Sequence, residues 1–450
     1  MVKILNKTRE FLNSFYFPLT VFSLVLISHT FSIELLGASI ILFCVFIGLL
    51  ICDDLKFIIS PLLMFIFAFS QKSISSGKFF SDNYIIAIVI LSCVLSLLLF
   101  THFIIYRKHI NFKSIFNSKL LIGYLLICLS FLLNGLFSFE NYTIKNLLYA
   151  LILCLSFVFV FFVFYINFNV NESSKKYVFF VLYLLSLLIT IQMFIGFINQ
   201  FRFNNGEIIK ESIMLGWGMW NNIGGMLALL LPIHFYFAST IKRFGVFFYF
   251  SGVISYIAIA LTLSRSSLLV SSLIIVICAL ISCFHGKNKK TNRYITIGIS
   301  ILGLLGLIIL WDKISNILGD YLSRGLDDNG RFDIYRYGLS IFAENPIFGH
   351  GFYSDYKLEH TFISFLPFRY HNTVIQLLAT CGIFGLISYI FHRFQTIKLI
   401  VSGKSLYSTY AGLCILALIM CSLLDNHMFN IYPAFVYSII FATIDKSHPT

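Results

Sequence analysis

Long apolar segments follow one another along almost the whole chain, separated by short polar connections. Most are roughly twenty residues long and free of charge, which suits α-helices that cross a hydrocarbon core of ~30 Å. None shows the alternation of apolar and polar residues that is typical of transmembrane β-strands. The pattern predicts an all-α polytopic membrane protein with about 12–14 transmembrane helices. The apolar segments lie near residues 11–30, 34–52, 56–70, 84–106, 120–137, 146–168, 177–199, 213–237, 245–263, 266–284, 294–311, 372–391, 406–424 and 427–444.

The composition agrees with this prediction. Of the 450 residues, 59% are hydrophobic and 11% are charged, and so few charged residues would leave the surface of soluble domains uncovered. The ten cysteines, from Cys44 to Cys421, lie within or at the edges of apolar segments and form no CxxC pair. This distribution favours core packing over a metal or redox role.

Clusters of basic residues predict the orientation of the chain. They precede the first span, separate the fourth from the fifth and follow the tenth, and the positive-inside rule assigns such segments to the cytoplasm. The net charge of +13 then reflects topology and attraction to anionic lipid. It does not indicate nucleic acid, whose binders concentrate basic residues on a folded polar domain. The residues are Lys3, Lys7, Arg9, Arg107, Lys108, Lys113, Lys119, Lys287, Lys289, Lys290 and Arg293.

The longest polar segment, residues 312–371, lies between the eleventh and twelfth apolar segments. The same orientation places it outside the cytoplasm, and its length makes it the main candidate for a functional site. The chain therefore divides into transmembrane residues 1–311, an extracytoplasmic catalytic loop over 312–371 and C-terminal transmembrane residues 372–450.

A short helix is predicted within this loop, because apolar residues recur there at spacings of three and four. Asp328-Asn329-Gly330 is a candidate cap, Pro346 should end the helix, and Arg331 and Arg336 should project from its other side. The FGHGF sequence at Phe348–Phe352 suits a tight turn with close backbone approach. The apolar residues are Phe332, Tyr335, Leu339 and Phe342.

Two arginines on the predicted outer side stand out, because cations are depleted there. Arg265, in LTLSRSSLLV, lies between the ninth and tenth spans, where its side chain either snorkels to the surface or contacts an anion. Arg331 offers a planar guanidinium that can bind a phosphate in bidentate fashion. The alternative for Arg331 is a surface ion pair with Asp327 or Asp328.

Three further residues are candidates for an acid–base site, as the base or as its supports. His371 ends the loop, and a neutral imidazole there can accept the proton of a sugar hydroxyl; the alternative is a structural histidine at a helix start. Asn372 is expected to cap the twelfth span or to orient that ring. Asp425, in the last external turn, either caps a helix or orients a catalytic basic group. His350 and His360 lack the ligand spacing of a zinc site, so neither a metal nor another cofactor is expected.

Three motifs, in this order, resemble the O-antigen ligase and polymerase superfamily. They are SRSSLL at the outer end of a span, GRFDIYRYGLSIFAENPIFGHGF in the loop and HNTVIQLLATCGIFGLI at the start of the next span. The similarity extends over residues 210–430. The resemblance implies that Arg265 and Arg331 bind the pyrophosphate of the donor and that His371 serves catalysis. Asp425 matches a weaker acidic position of the family.

The resemblance further implies a bacterial cytoplasmic membrane enzyme of polysaccharide or lipopolysaccharide biosynthesis. Its donor would be a glycan on undecaprenyl pyrophosphate, and a hydroxyl of an acceptor glycan or glycolipid would displace the lipid pyrophosphate with inversion and without metal. Ligation and repeat-unit polymerisation share this chemistry, and the sequence does not separate them. A polymerase would also have a chain-length regulator as a possible partner.

Two other classes of membrane protein are alternatives. A lipid-linked oligosaccharide flippase binds the same lipid, but flippases tend to have paired halves and charges within the spans. A metal-dependent lipid-sugar glycosyltransferase is expected to carry an acidic pair in the first external loop, where this chain has Glu34 alone.

Overall fold

The computed structural model describes residues 2–70, 97–108, 110–138, 143–203, 214–216, 218–309, 311, 315, 330–353 and 368–447. Most of these residues are helical, which confirms the predicted all-α class. Further helical residues cover 97–105. The α-helices are α1 (Val2–Leu12), α2 (Tyr16–Phe31), α3 (Glu34–Ile51), α4 (Ile59–Met64), α5 (Leu121–Leu132), α6 (Ile144–Cys154), α7 (Val160–Asn167), α8 (Glu172–Phe203), α9 (Trp220–Thr240), α10 (Gly245–Leu261), α11 (Arg265–Phe284), α12 (Lys289–Ile309), α13 (Arg331–Glu344), α14 (Thr373–Ser402), α15 (Leu406–Leu424) and α16 (Ile431–Lys446).

Shorter elements connect these helices. A π-helical turn at Leu155–Phe159 joins α6 to α7. Strands β1 (Met214–Leu215) and β2 (Gly218–Met219) pair antiparallel directly before α9. The 3-10 helices are Leu55–Ile58, Phe65–Phe69, Phe112–Asn117 and His427–Phe429.

Many of the helices are suited to a bilayer. Within the described part of the chain, seven are long and apolar enough to cross a membrane, or eight if the bent pair α1–α2 forms one broken span. Shorter apolar helices at Leu55–Phe69, Leu121–Leu132 and Gly245–Leu261 fall in other predicted spans. These helices confirm a polytopic protein. The predicted span near 84–106 lies partly outside the described residues, so the total number of spans stays a prediction.

Helix α9 lies at the centre of the bundle. Every residue from Ile223 to Ser239 is buried, and the helix packs against α10, α11 and α15. Its polar His234 is fully buried, and the two ring nitrogens each lie 2.8 Å from a serine hydroxyl, on Ser251 and Ser186. By contrast, peripheral α12 exposes large apolar side chains such as Ile308, as a helix in contact with lipid does.

Helix α14 is broken at Gly382, whose φ of 66° and ψ of −162° are not helical. The segment that contains FGHGF fills this break. The N–H of Ile383 donates to the carbonyl of Pro346 at 2.8 Å, and the N–H of His350 donates to the carbonyl of Ala379 at 2.9 Å. A Cβ on Gly382 would lie 2.4 Å from the carbonyl oxygen of Ile347. The structure therefore confirms the close backbone approach predicted for this sequence.

The loop helix α13 spans Arg331–Glu344 and ends before Pro346, as predicted. Its buried face differs from the predicted stripe, because Phe332 is 62% and Leu339 45% exposed. Gly338 and Ile341 are buried instead, packed towards α14. The difference follows from size, because the missing side chain of Gly338 admits neighbours that would come within 2.6 Å of a Cβ there.

Candidate active site

His371 and Asp425 form a hydrogen-bonded pair at one end of the bundle. Nδ1 of His371 lies 3.1 Å from Oδ1 of Asp425. The same oxygen accepts from the backbone N–H of Asn426 at 2.8 Å, and Oδ2 accepts from Nδ2 of Asn221 at 3.2 Å. The Asp425 side chain is 7% exposed, whereas that of His371 is 35% exposed. The imidazole therefore stands between a buried carboxylate and the surface.

The charge of Asp425 determines which nitrogen of His371 is available. Burial favours the neutral acid, but the hydrogen bonds from His371 and from the backbone N–H of Asn426 outweigh burial and hold the pKa of Asp425 well below its ordinary value. An ionised carboxylate only accepts hydrogen bonds, so Nδ1 of His371 carries a proton. In the neutral ring, Nε2 then has the free lone pair that a general base requires.

The backbone of His371 is strained. Its φ of 51° lies in the left-handed region, which costs a residue with a side chain of order 1–3 kcal/mol. Neighbouring contacts hold this conformation, because Tyr335 of α13 donates its hydroxyl to the His371 carbonyl at 3.3 Å. Asn372 caps α14, as predicted, by accepting from the N–H of Val374 at 2.8 Å and of Ile375 at 3.2 Å.

Two of the predicted residues cap the C-terminal end of α15, directly before Asp425. Nη1 of Arg331 donates to the carbonyl of Leu424 at 2.7 Å. Nδ2 of Asn372 donates to the carbonyl of Leu423 at 2.8 Å. These contacts satisfy carbonyl groups that the helix leaves unpaired, and they bring the Arg331 guanidinium beside the pair of His371 and Asp425. The alternative ion pair of Arg331 involves residues outside the described part of the chain.

Arg265 is connected to this site through α9. It is the first residue of α11, and the junction around it packs against Gly224. A Cβ on Gly224 would lie 2.7 Å from the hydroxyl of Ser267 and 2.9 Å from that of Thr262. Asn221, one helical turn earlier, donates to Asp425. The first turns of α9 therefore contact both the Arg265 junction and the carboxylate, at the same end of the bundle.

Two of the remaining loop candidates contact other side chains. The Arg336 side chain is 82% exposed and lies 3.6 Å from Asp333 on the same helix, which is typical of a surface ion pair. Nε2 of His350 lies 2.9 Å from Oε2 of Glu344. His360 lies outside the described residues.

Three contributors were missed in the sequence. Asn221 and Asn426 both donate to Asp425, and Asn426 also donates to Oε1 of Gln376. His427 is fully buried, and its ring would lie 2.5 Å from a Cβ on Gly225. The sequence signal for these residues is that Asn221-Asn222 and Asp425-Asn426-His427 are polar runs next to apolar helices.

These observations define a polytopic membrane protein with a candidate acid–base site at one end of its bundle. Residues 250–390 match the O-antigen ligase family, which confirms the resemblance to the O-antigen ligase and polymerase superfamily of membrane enzymes. The matched segment includes Arg265, Arg331 and His371, and ends before Asp425. A search of curated proteins gives no significant match to the chain.

Proposed function

We propose that this protein transfers a glycan from undecaprenyl pyrophosphate to an acceptor hydroxyl at the outer face of the bacterial cytoplasmic membrane. The observation that carries the proposal is the pair of His371 and Asp425, with Arg331 bound one residue before Asp425. This arrangement offers a base for the attacking hydroxyl and a cation for the leaving group. The family match over residues 250–390 supports the same class of reaction.

In the proposed step, the acceptor oxygen attacks the anomeric carbon and the bond from that carbon to the pyrophosphate oxygen breaks, with inversion. Nε2 of His371 takes the proton of the attacking hydroxyl. Asp425 stabilises the imidazolium that forms, because its carboxylate is buried and ionised. The lipid pyrophosphate leaves with the electron pair of the broken bond.

Charge that develops on the leaving pyrophosphate requires fixed cations. A guanidinium has five N–H donors, and the Leu424 carbonyl engages Nη1 of Arg331. In the proposal, other donors of Arg331 and those of Arg265 bind the phosphate oxygens, an interaction that strengthens as charge develops. The proposal therefore needs no metal, and we expect transfer to be insensitive to chelators.

The orientation of the chain supports an outer site. At the far end of α16 from the site, Asp445 accepts from the hydroxyl of Ser118 and from the N–H of Lys119 at 3.2 Å. The sixteen residues of α16 rise by ~24 Å, so the two ends are well separated. Basic residues such as Lys119 assign that far end to the cytoplasm.

Cysteine labelling tests this orientation. In intact cells, a membrane-impermeant thiol reagent should label Ser340→Cys on α13, while Lys404→Cys should react after lysis alone. The parent, with its native cysteines, measures the background. The reverse pattern would overturn the assignment of the site to the outer face.

Reconstitution tests the chemistry. The purified protein in liposomes should convert lipid-linked glycan to a new glycoside and release undecaprenyl pyrophosphate. Addition of one glycan to an acceptor glycolipid indicates a ligase, whereas elongation of the lipid-linked chain indicates a polymerase. Donor that crosses the bilayer without a new glycosidic bond, or transfer unaffected by His371→Ala, would contradict the proposal.

A further inference from the structure

The buried carboxylate of Asp425 is bound on both of its oxygens. His371 and the backbone N–H of Asn426 contact Oδ1, at 3.1 and 2.8 Å. Oδ2 accepts from the amide of Asn221, at 3.2 Å. Asn221 belongs to α9 and lies 204 residues before Asp425, so this contact exists only in the folded bundle.

Hydrogen bonds to the two oxygens constrain the orientation of the Asp425 carboxylate in different ways. A carboxylate held at one oxygen can still turn about its Cβ–Cγ bond, which would move Oδ1 away from the imidazole. A donor on Oδ2 fixes the plane of the group. Asn221 supplies that donor without a charge, so it orients Asp425 without competing with His371 for the role of cation.

We infer that Asn221 is a positioning residue that holds the Asp425 carboxylate in the orientation required by His371. The inference rests on the proposed function, in which Asp425 stabilises the imidazolium of His371. Asn221 is predicted to act through Asp425 and not through contact with the substrate.

The first turns of α9 are well suited to this role because they are held on several sides. Before the helix, the N–H of Gly216 donates to the hydroxyl of Ser70 at 2.8 Å. Within it, Oδ1 of Asn222 accepts from Asn430 at 2.8 Å, and Gly225 packs against the ring of His427. The segment before Asn221 is thus fixed to Ser70, and the residues after it are fixed to the segment that follows Asp425, which leaves little freedom for Asn221.

A purely structural role makes a different prediction. Asn221 and Asn222 are neighbouring amides in the first turn of one helix, and each makes a hydrogen bond to the segment after α15. If these bonds only hold the segment in place, loss of either should affect abundance and turnover alike. If Asn221 positions Asp425, its loss should affect turnover far more.

The experiment compares Asn221→Ala, Asn221→Gln and Asn221→Asp with the control Asn222→Ala in the reconstituted transfer assay, at matched protein levels. For Asn221→Ala we expect kcat to fall roughly 10-fold to 100-fold while KM for the donor stays within about twofold. Asn221→Gln retains the amide and should recover part of the loss. Asn222→Ala should keep the pH profile and most of the kcat of the parent.

Asn221→Asp provides a readout that a structural role would not change. A carboxyl group this close to Asp425 shares one proton with it, so it can donate to Oδ2 at low pH but repels that oxygen once the proton is lost. The basic limb of the pH–rate profile should therefore move to lower pH. The other ionisable or charged groups near this cluster are His427, Arg331 and Arg369, and none of them changes in the variant.

The outcomes separate this inference from the proposed function. Equal kcat and pH profiles for Asn221→Ala and Asn222→Ala would overturn the role of Asn221 while the transfer activity stands. A parent that transfers no glycan, or full turnover by His371→Ala, would instead overturn the proposed function. If Asn221→Ala does not accumulate, the Gln and Asp variants decide: an unshifted basic limb in Asn221→Asp, with parental kcat in both, also overturns the inference.

Discussion

Arg331 and Leu424 are joined by a 2.7 Å hydrogen bond from Nη1 to the carbonyl oxygen. Arg331 begins the loop helix α13, and Leu424 ends α15, so the bond connects the loop to the turn that carries Asp425. It also neutralises part of the negative end of the α15 dipole next to that carboxylate. One arginine thus organises the site and, in the proposed reaction, binds the donor.

Arg331→Lys should lose at least roughly tenfold in transfer rate, because an ammonium cannot both satisfy the Leu424 carbonyl and bind pyrophosphate in bidentate fashion. Arg265→Lys should also lose activity, because an ammonium cannot bind pyrophosphate in bidentate fashion. Initial rates of lipid pyrophosphate release at matched protein levels measure both. Arg336→Lys, on the exposed side of α13, is the control and should stay within about twofold of the parent. Parental rates for both test variants would favour the surface ion-pair and snorkelling alternatives.

His371→Ala should reduce the transfer rate by roughly 10²–10⁴-fold, as expected for loss of a general base, while binding of the lipid-linked donor persists. Single-turnover transfer and equilibrium donor binding measure the two effects separately. His350→Ala removes a histidine that pairs with Glu344 instead, so its rate should remain within roughly tenfold of the parent. Comparable losses in the two variants would argue that His371 has a structural role.

Asp425→Asn should lower turnover roughly 10-fold to 1000-fold, because the neutral amide no longer stabilises the imidazolium. The pKa of Asp425 is lower in the folded protein than in the unfolded chain, where it is about 3.9. The ionised carboxylate therefore stabilises the fold at pH values above about 3.9, and this stabilisation is lost as the pH falls through the pKa of the folded state. Between about pH 5 and pH 8, Asp425 should therefore stay ionised and give no titration step of its own. An infrared band from a protonated Asp425 carboxyl group between about pH 5 and pH 8 would contradict this assignment.

Local features of this chain were predictable from sequence, and contacts between distant segments were not. The length of the apolar segments predicted the fold class, and Pro346 predicted the end of α13. Asn372 was predicted to cap α14. Each of these features depends on a few adjacent residues. The contact of Asn221 with Asp425 depends on how α9 packs, and no periodicity in either segment encodes it. The roles proposed for Arg265 and Arg331 come from the family resemblance, because composition alone does not assign them.

The break in α14 gives a test of the fold. Gly382→Ala should destabilise the protein by at least roughly 1–3 kcal/mol, because its φ of 66° disfavours a side chain and the new Cβ would meet the Ile347 carbonyl at 2.4 Å. Gly298→Ala on α12 is the matched control. In the described part of the chain, no atom other than those of its adjacent residues and its own helix backbone lies within 4 Å of its Cβ position, so Gly298→Ala should be tolerated or stabilise the protein by up to about 1 kcal/mol. Thermal unfolding in detergent compares the two, and equal midpoints would argue against the packed break.

A buried cation in α14 gives the last prediction. Arg393 is 7% exposed, and its guanidinium lies 4.5 Å from the ring centre of Tyr389 and 4.8 Å from that of Tyr437. Nη1 donates to the Tyr437 hydroxyl at 2.6 Å, and no carboxylate pairs with Arg393 in the described part of the chain. Nη2 contacts the thioether sulfur of Met428 at 3.3 Å, so the charge is stabilised by aromatic faces, this sulfur and the Tyr437 hydroxyl.

Loss of the Tyr437 hydroxyl should destabilise the protein more than loss of the Arg393 charge itself. Tyr437→Phe leaves the guanidinium less satisfied and should cost roughly 1.5–3 kcal/mol, whereas Arg393→Met fills similar volume and removes the need for the bond. In the double variant, Tyr437→Phe should then cost much less, although it still loses the 2.9 Å contact of its hydroxyl with His392. A double-mutant cycle on thermal unfolding midpoints measures the coupling. Additive effects would show that the hydroxyl of Tyr437 does not stabilise the charge of Arg393.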